Sequence, residues 1–242
     1  LAAQPESQAV AAFAAARSRV TDAIADACRR VGRDPAGVQL VAVSKTVPPE
    51  RLVSAAAAGL TTLGENRVQE AESKAPLLAG VRWHLVGPLQ SNKARRAVEL
   101  FEVVETVDTV DLARRLDRLA GELGRARLGV YLQVNVDRDP SKSGFDPGLL
   151  QAALPVLAGL PNLNLLGLMT VGRLVATAEE ARPTFVRLRE LSARLRATSA
   201  DAAVLGAGLS MGMTGDFEVA VEEGATVVRI GRALFGPRME DG

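Results

Sequence analysis

Eight short apolar runs, each followed by a helix-length segment, constrain this chain more than any other feature. The runs are 39–44, 60–63, 81–86, 101–105, 128–136, 163–169, 202–205 and 226–230. They are rich in Val, Leu and Ile and lack sustained polar alternation, as expected of parallel strands covered on both faces. The segments between them carry helix punctuation. Pro49 opens a helix that stops at Gly59, 67–79 closes on Gly80, and a short helix runs to about Val98. Asp108 caps a helix ending near Gly124, and Asp146-Pro147 begins one that stops by Gly159. Thr177 with Glu180 predicts a capping box for 178–196, 215–223 ends at Gly224, and 232–235 comes last. Residues 5–32 add an extra amphipathic helix, with Val10, Phe13, Val20, Ile24 and Ala27 near helical spacing.

Strand then helix, eight times over in 242 residues, predicts an α/β fold, a single (β/α)8 TIM barrel. No linker divides the chain, so 1–242 is expected to form one barrel domain, with 1–37 as an N-terminal helix packed on it. A doubly wound open sheet is the alternative. In a barrel the working residues sit at the C-terminal ends of the strands. The candidate loops are then 45–48, 64–67, 87–93, 137–144, 169–173, 206–215 and 231–232.

Several functions are disfavoured by composition. Net charge is +1 with the charges interspersed, so no nucleic-acid surface is expected. No apolar run is long enough to span a membrane, and Ala9–Ala16 runs into Arg17-Ser18-Arg19 like a helix, not a signal peptide. Cys28 is the only cysteine, which forbids an internal disulfide and makes a cytoplasmic location the expectation. His84 is the only histidine, so a His/Cys zinc site lacks ligands. Of 29 basic residues only Lys45, Lys74, Lys93 and Lys142 are lysines, three of them just after predicted strands. Lysine can shed its proton; arginine cannot.

Three stretches carry chemistry. Leu40-Val41-Ala42-Val43-Ser44-Lys45-Thr46 ends a buried strand on an amine, and alternation points Lys45 the same way as Val41 and Val43. A lysine that loses hydration there becomes a candidate Schiff-base nucleophile. Gly206–Asp216 combines small residues, the hydroxyls of Ser210 and Thr214 and a following helix start, a pattern suited to a phosphate. Gly231 offers a second set of N–H donors. Arg229 lies inside an apolar strand and needs an acceptor, either a core carboxylate such as Glu65 or Asp216 or a ring nitrogen of a ligand. An aldehyde on Lys45, a phosphate at loops seven and eight and a ring nitrogen at Arg229 together describe pyridoxal 5′-phosphate (PLP).

The chain also resembles the pyridoxal phosphate homeostasis proteins (YggS/PROSC type), whose fold is like the N-terminal barrel of alanine racemase, PLP fold type III. The matching stretches are Val41–Thr46, Gly64-Glu65-Asn66, Trp83–Lys93, Ser141–Phe145, Gly167-Leu168-Met169-Thr170, Leu209–Met213 and Val228-Arg229-Ile230-Gly231. Thr214 stands where family members usually carry serine, and the hydroxyl is kept. The resemblance implies an internal aldimine on Lys45, with Ser210, Met211, Gly212, Thr214 and Gly231 around the phosphate. It implies that Arg229 meets the pyridine nitrogen, Asn66 faces the ring and Met169 belongs to the cofactor-binding set. His84 is either a structural histidine or a neighbour of the cofactor; Lys93 and Lys142 are either solvated or a second PLP site.

The family is described as cytoplasmic, largely monomeric and without an established catalytic activity, holding PLP, vitamin B6 and amino-acid pools in balance; PLP-dependent apo-enzymes are the expected partners. Arginine at the ring nitrogen weakens carbanion stabilisation. Related racemases add a tyrosine from a further C-terminal domain, whereas this chain stops at Gly242 and its only tyrosine, Tyr131, reads as a packed core residue. A low-activity racemase is the alternative, and a cofactor-free Schiff-base aldolase is the third reading.

Overall fold

The computed structural model of the chain describes residues 3–125, 127–173, 175–198 and 204–237. Eight parallel strands pair in sequence order, and the last returns to the first: β1 (Gln39–Val43), β2 (Thr62–Glu65), β3 (Arg82–Leu85), β4 (Val103–Val107), β5 (Leu128–Gln133), β6 (Leu163–Met169), β7 (Gly208–Ser210) and β8 (Val227–Ile230). The sheet is therefore a closed barrel and not an open one. Around it lie α2 (Pro49–Ala57), α3 (Val68–Lys74), α4 (Ala94–Leu100), α5 (Val110–Glu122), α6 (Pro147–Ala158), α7 (Arg182–Thr198), α8 (Phe217–Glu222) and α9 (Arg232–Phe235). The extra helix, α1 (Ala3–Arg30), packs outside against α2, α8 and α9. Its apolar stripe Phe13, Ala16, Val20, Ile24 and Ala27 is buried there.

Where boundaries differ from the sequence expectation, chain geometry explains the shift. The run 60–63 becomes a strand only at Thr62, because Leu60 is still tied to α2. Its N–H bonds Ala55 O at 3.0 Å and Gly59 sits at φ +88°, a Schellman ending. Phe101 likewise closes α4 through Ala97 O, so β4 starts at Val103 and runs to Val107. The capping box at 178–196 gives a 3-10 turn, 178–181, before α7; Thr177 Oγ1 bonds the Glu180 carboxylate and caps no backbone N–H.

The seventh strand is the main correction. Residues 202 and 203 of the run read as 202–205 lie outside the described residues, and 204–205 are not strand. The strand is Gly208–Ser210, inside the stretch read as a glycine-rich loop. Its glycines serve close packing. A Cβ on Gly208 would lie 2.6 Å from Leu166 O and 2.8 Å from the Tyr131 ring, and a Cβ on Gly167 (φ +150°) would lie 1.9 Å from Gly208 O. Side-chain-free backbone lets β6 and β7 approach and leaves room for Tyr131.

Strand alternation divides the protein into two cores. Ala42, Leu63, Leu85, Val104, Leu132, Leu168, Leu209 and Val228 face the helices, while Val41, Val103, Tyr131, Met169 and Val227 fill the barrel.

Candidate functional site

The barrel interior is apolar at one level and charged at the next. Arg229, two residues after Val227 on β8, is 5% exposed. Its Nη2 donates to Thr170 O at 2.8 Å and its Nη1 donates to Ser210 Oγ. Ser210 Oγ donates in turn to Glu105 Oε2 at 2.6 Å, which lies 3.8 Å from Arg229 Nη1. The other Glu105 oxygen is 2.7 Å from His84 Nδ1. Strands β3, β4, β7 and β8 thus contribute one residue each to a buried chain His84–Glu105–Ser210–Arg229. Burial alone would raise the Glu105 carboxyl, but His84, Arg229 and Ser210 outweigh it and hold it below the usual carboxylate range. Burial lowers Arg229 from its usual value, with Glu105 and then Asp216 opposing. Tyr131, beside this chain in the interior, is pushed up to about 12, first by burial and then by the Glu105 charge.

The core carboxylate that faces Arg229 is Glu105, and neither Glu65 nor Asp216. Glu65 turns to the helix side of β2 and pairs with Lys74 at 2.7 Å, while Asp216 acts on Arg229 only through its charge. Sequence reasoning missed Glu105. Its signal was present: a lone carboxylate inside Val103-Val104-Glu105-Thr106-Val107, matching the lone arginine of β8.

Lys45 lies just beyond β1, half-buried. Ser44 N–H still pairs with Gly64 O at 2.9 Å, and Ser44 Oγ turns outward to Glu65 Oε1 at 2.7 Å. Alternation then carries Lys45 toward the barrel side. β1 is bonded to β8 in the register Val41↔Arg229 and Ala42↔Ile230, so the end of β1 is neighbour to Gly231. A Cβ on Gly231 would lie 3.4 Å from Val43 O.

The loop after β7 stays tied to β8, with Met211 N bonding Val227 O and Gly212 O accepting from Arg229 N. Gly212 holds φ +93°, and a Cβ there would lie 2.6 Å from Ala220 Cβ, so glycine is required. Met211 is buried and Thr214 half-buried, and Met213 N–H is taken by Asp216 Oδ1 at 2.6 Å.

Met169 is buried in the barrel interior, and Asn66 is half-buried just past β2, with its carbonyl where a Cβ on Gly87 would be 2.4 Å away. The structure thus gathers Lys45, Asn66, His84, Met169, Ser210, Met211, Gly212, Thr214, Arg229 and Gly231 at or just below the C-terminal rim. Lys142 is set apart: its Nζ caps the loop after β6, donating to Gly172 O at 2.7 Å and Val171 O at 3.3 Å. Among the described residues there is no grouping of three or more His, Cys, Asp or Glu able to hold a metal, and no helix long and apolar enough to cross a membrane.

Residues 20–239 match the alanine racemase N-terminal domain family, which defines the class of this barrel. The Pyridoxal phosphate homeostasis protein of Pseudomonas aeruginosa is 45% identical over 224 residues, covering 91% of this chain and 94% of its own length. That of Aquifex aeolicus is 40% identical over 223 residues, covering 91% and 96%. The chain belongs to the pyridoxal phosphate homeostasis protein family. PipY of Synechococcus elongatus, solved with PLP bound, is 45% identical with a TM-score of 0.78 and covers 88% of this chain and 100% of its own. Alanine racemase of Clostridium difficile matches at 15% identity with a TM-score of 0.66, covering 91% of this chain and 60% of its own, a likeness of fold alone.

Proposed function

We propose that this chain binds PLP on Lys45 and serves in the intracellular homeostasis of PLP, vitamin B6 and amino acids. The observation that carries the reading is the pairing of β1 with β8, which makes Lys45 a neighbour of the strand end bearing Arg229 and Gly231. PipY, a 45% identical relative solved with PLP bound, supports it.

The residues present fit the group. Gly212, where a Cβ would meet Ala220, and Gly231, beside Val43 O, present backbone without side chains just past β7 and β8; Thr214 adds a hydroxyl to the loop after β7, and a guanidinium fixed by two acceptors stands below. PLP supplies an aldehyde that condenses with an amine and a ring that can withdraw electrons. Lys45 offers the amine. The backbone of Met211, Gly212 and Gly231, with Thr214 Oγ1, surrounds the phosphate. Asn66, His84 and Met169 complete the walls. Arg229 donates hydrogen bonds and has no lone pair to accept one, so it leaves a facing ring nitrogen unprotonated. Ser210 serves through Arg229, since its hydroxyl is already given to Glu105.

This set favours carriage over turnover. Tyr131, with its ionisation pushed up to about 12, is a poor proton acceptor at neutral pH. In this reading 1–242 acts as one cytoplasmic, monomeric barrel that holds PLP, is not an enzyme and hands PLP to PLP-dependent apo-enzymes. Purified protein should be yellow, and Lys45→Ala should lose the visible band. PLP transfer to an apo-enzyme should outrun leakage of free PLP into solution. A colourless protein that refuses added PLP would sink the proposal, and rapid racemisation of an amino acid would replace carriage with catalysis.

A further inference from the structure

We infer that Lys74, Glu65 and Glu70 form a clamp that positions Lys45 for capture of PLP. The inference rests on the proposed role of Lys45. Lys74 is the one lysine that follows no predicted strand, and in α3 it is only 5% exposed. Its Nζ donates to Ser44 O at 2.9 Å and to Glu65 Oε1 at 2.7 Å, and lies 3.7 Å from Glu70 Oε2. Glu70 Oε2 accepts from Thr46 N–H at 3.2 Å.

Ser44 O belongs to the peptide group before Lys45 and Thr46 N–H to the one after it. Both peptide planes flanking the Lys45 Cα are therefore held by side chains of α3, with Ser44 Oγ tied to the same Glu65 oxygen at 2.7 Å. Two fixed planes set the direction in which the Lys45 side chain leaves the backbone. The held conformation is one the chain resists: Thr46, β-branched, sits at φ +63°. Such a residue persists only where its surroundings enforce it.

An ion pair serving adhesion alone has no need of these contacts. An apolar pair pins a helix to a strand at lower cost than a buried lysine and carboxylate. Here Glu65 Oε2 is buried with no hydrogen-bond partner, while Oε1 is shared by Ser44 and Lys74. The geometry is arranged around residues 44–46, with one carboxylate oxygen left unused.

The test separates binding from capture. Wild type, Lys74→Met, Glu70→Ala and Glu70→Gln are each mixed with PLP. Total binding is read by equilibrium dialysis, covalent capture by borohydride trapping and mass, and folding by thermal melting. We expect Lys74→Met and Glu70→Ala to bind PLP but to capture it on Lys45 at least about tenfold more slowly, the scale of a misplaced reacting group. Glu70→Gln keeps an acceptor for Thr46 N–H and should recover most of the rate. Glu70→Ala removes a half-buried side chain and keeps the test valid if Lys74→Met does not fold. Variants that melt lower yet capture PLP at the wild-type rate would overturn the clamp and leave the PLP reading standing. A wild type that traps no PLP would overturn both.

Discussion

Glu105 and Arg229 are single charges in otherwise apolar strands, each buried against the other's barrel wall. Removing one partner leaves the other charge in a low-dielectric interior. Glu105→Gln should therefore cost about 3 kcal/mol in chemical denaturation, more than the loss of an ordinary hydrogen bond. The pH dependence follows from the lowered Glu105 carboxyl. Its stabilisation is fully present above the ordinary value of 4.5 and is lost as pH falls through the lower folded value. The difference in stability between wild type and Glu105→Gln should then shrink below pH 4.5, and a constant difference down the acid limb would contradict the assignment. Tyr131 has the opposite sign. Its folded pKa is raised, so its contribution is present below 10 and disappears as pH rises toward about 12. Because it is the only tyrosine, a near-ultraviolet titration reads it alone. Near pH 11 native protein should show little tyrosinate, while unfolded protein, with the ordinary value of 10, should be mostly ionised. The arginine was legible in the sequence as a buried cation in need of an acceptor; its true partner was not, because strand spacing alone does not tell which two of eight strands face each other across a barrel.

At the scale of elements, most of the chain reads in order because strand runs and helix stops alternate plainly. β6 and α9 fall at their expected bounds, and β1, α2 and α6 within a residue or two. The exception, β7, is instructive. A three-residue strand flanked by glycines carries no periodicity, and its sequence looks like a phosphate loop. The glycines are demanded by contact with Leu166 and Tyr131 as well as by any ligand. Gly208→Ala should cost roughly 3 kcal/mol through overpacking against fixed backbone, and Gly167→Ala still more. Denaturant titration measures both. If Gly208→Ala is neutral, the close approach of β6 and β7 is not what the glycine is for. The turn 44–46 shows a similar blind spot. Nothing in Ser44-Lys45-Thr46 announces a left-handed threonine, because the groups that hold it come from α3, 24 residues and more away in sequence for Glu70 and Lys74 alike.

Across the whole molecule, closure is what turns scattered loops into a site. Lys45 and Gly231 are 186 positions apart along the chain, yet they become neighbours because β8 bonds β1. An open sheet would place β1 and β8 at opposite edges or separate them by strands, and the amine would lose its companions. The sequence held enough to propose the barrel, the rim residues and the cofactor, through strand count and through motif resemblance. It did not hold the buried His84–Glu105–Ser210–Arg229 chain or the clamp on Lys45, which depend on contacts across the barrel and across layers. With only four lysines, the central claim has a clean readout. The protein is loaded with PLP, reduced with borohydride, digested and mapped by mass spectrometry. The account predicts a pyridoxyl label on Lys45 that vanishes in Lys45→Ala. A label confined to Lys74, Lys93 or Lys142, with Lys45→Ala still coloured, would contradict it.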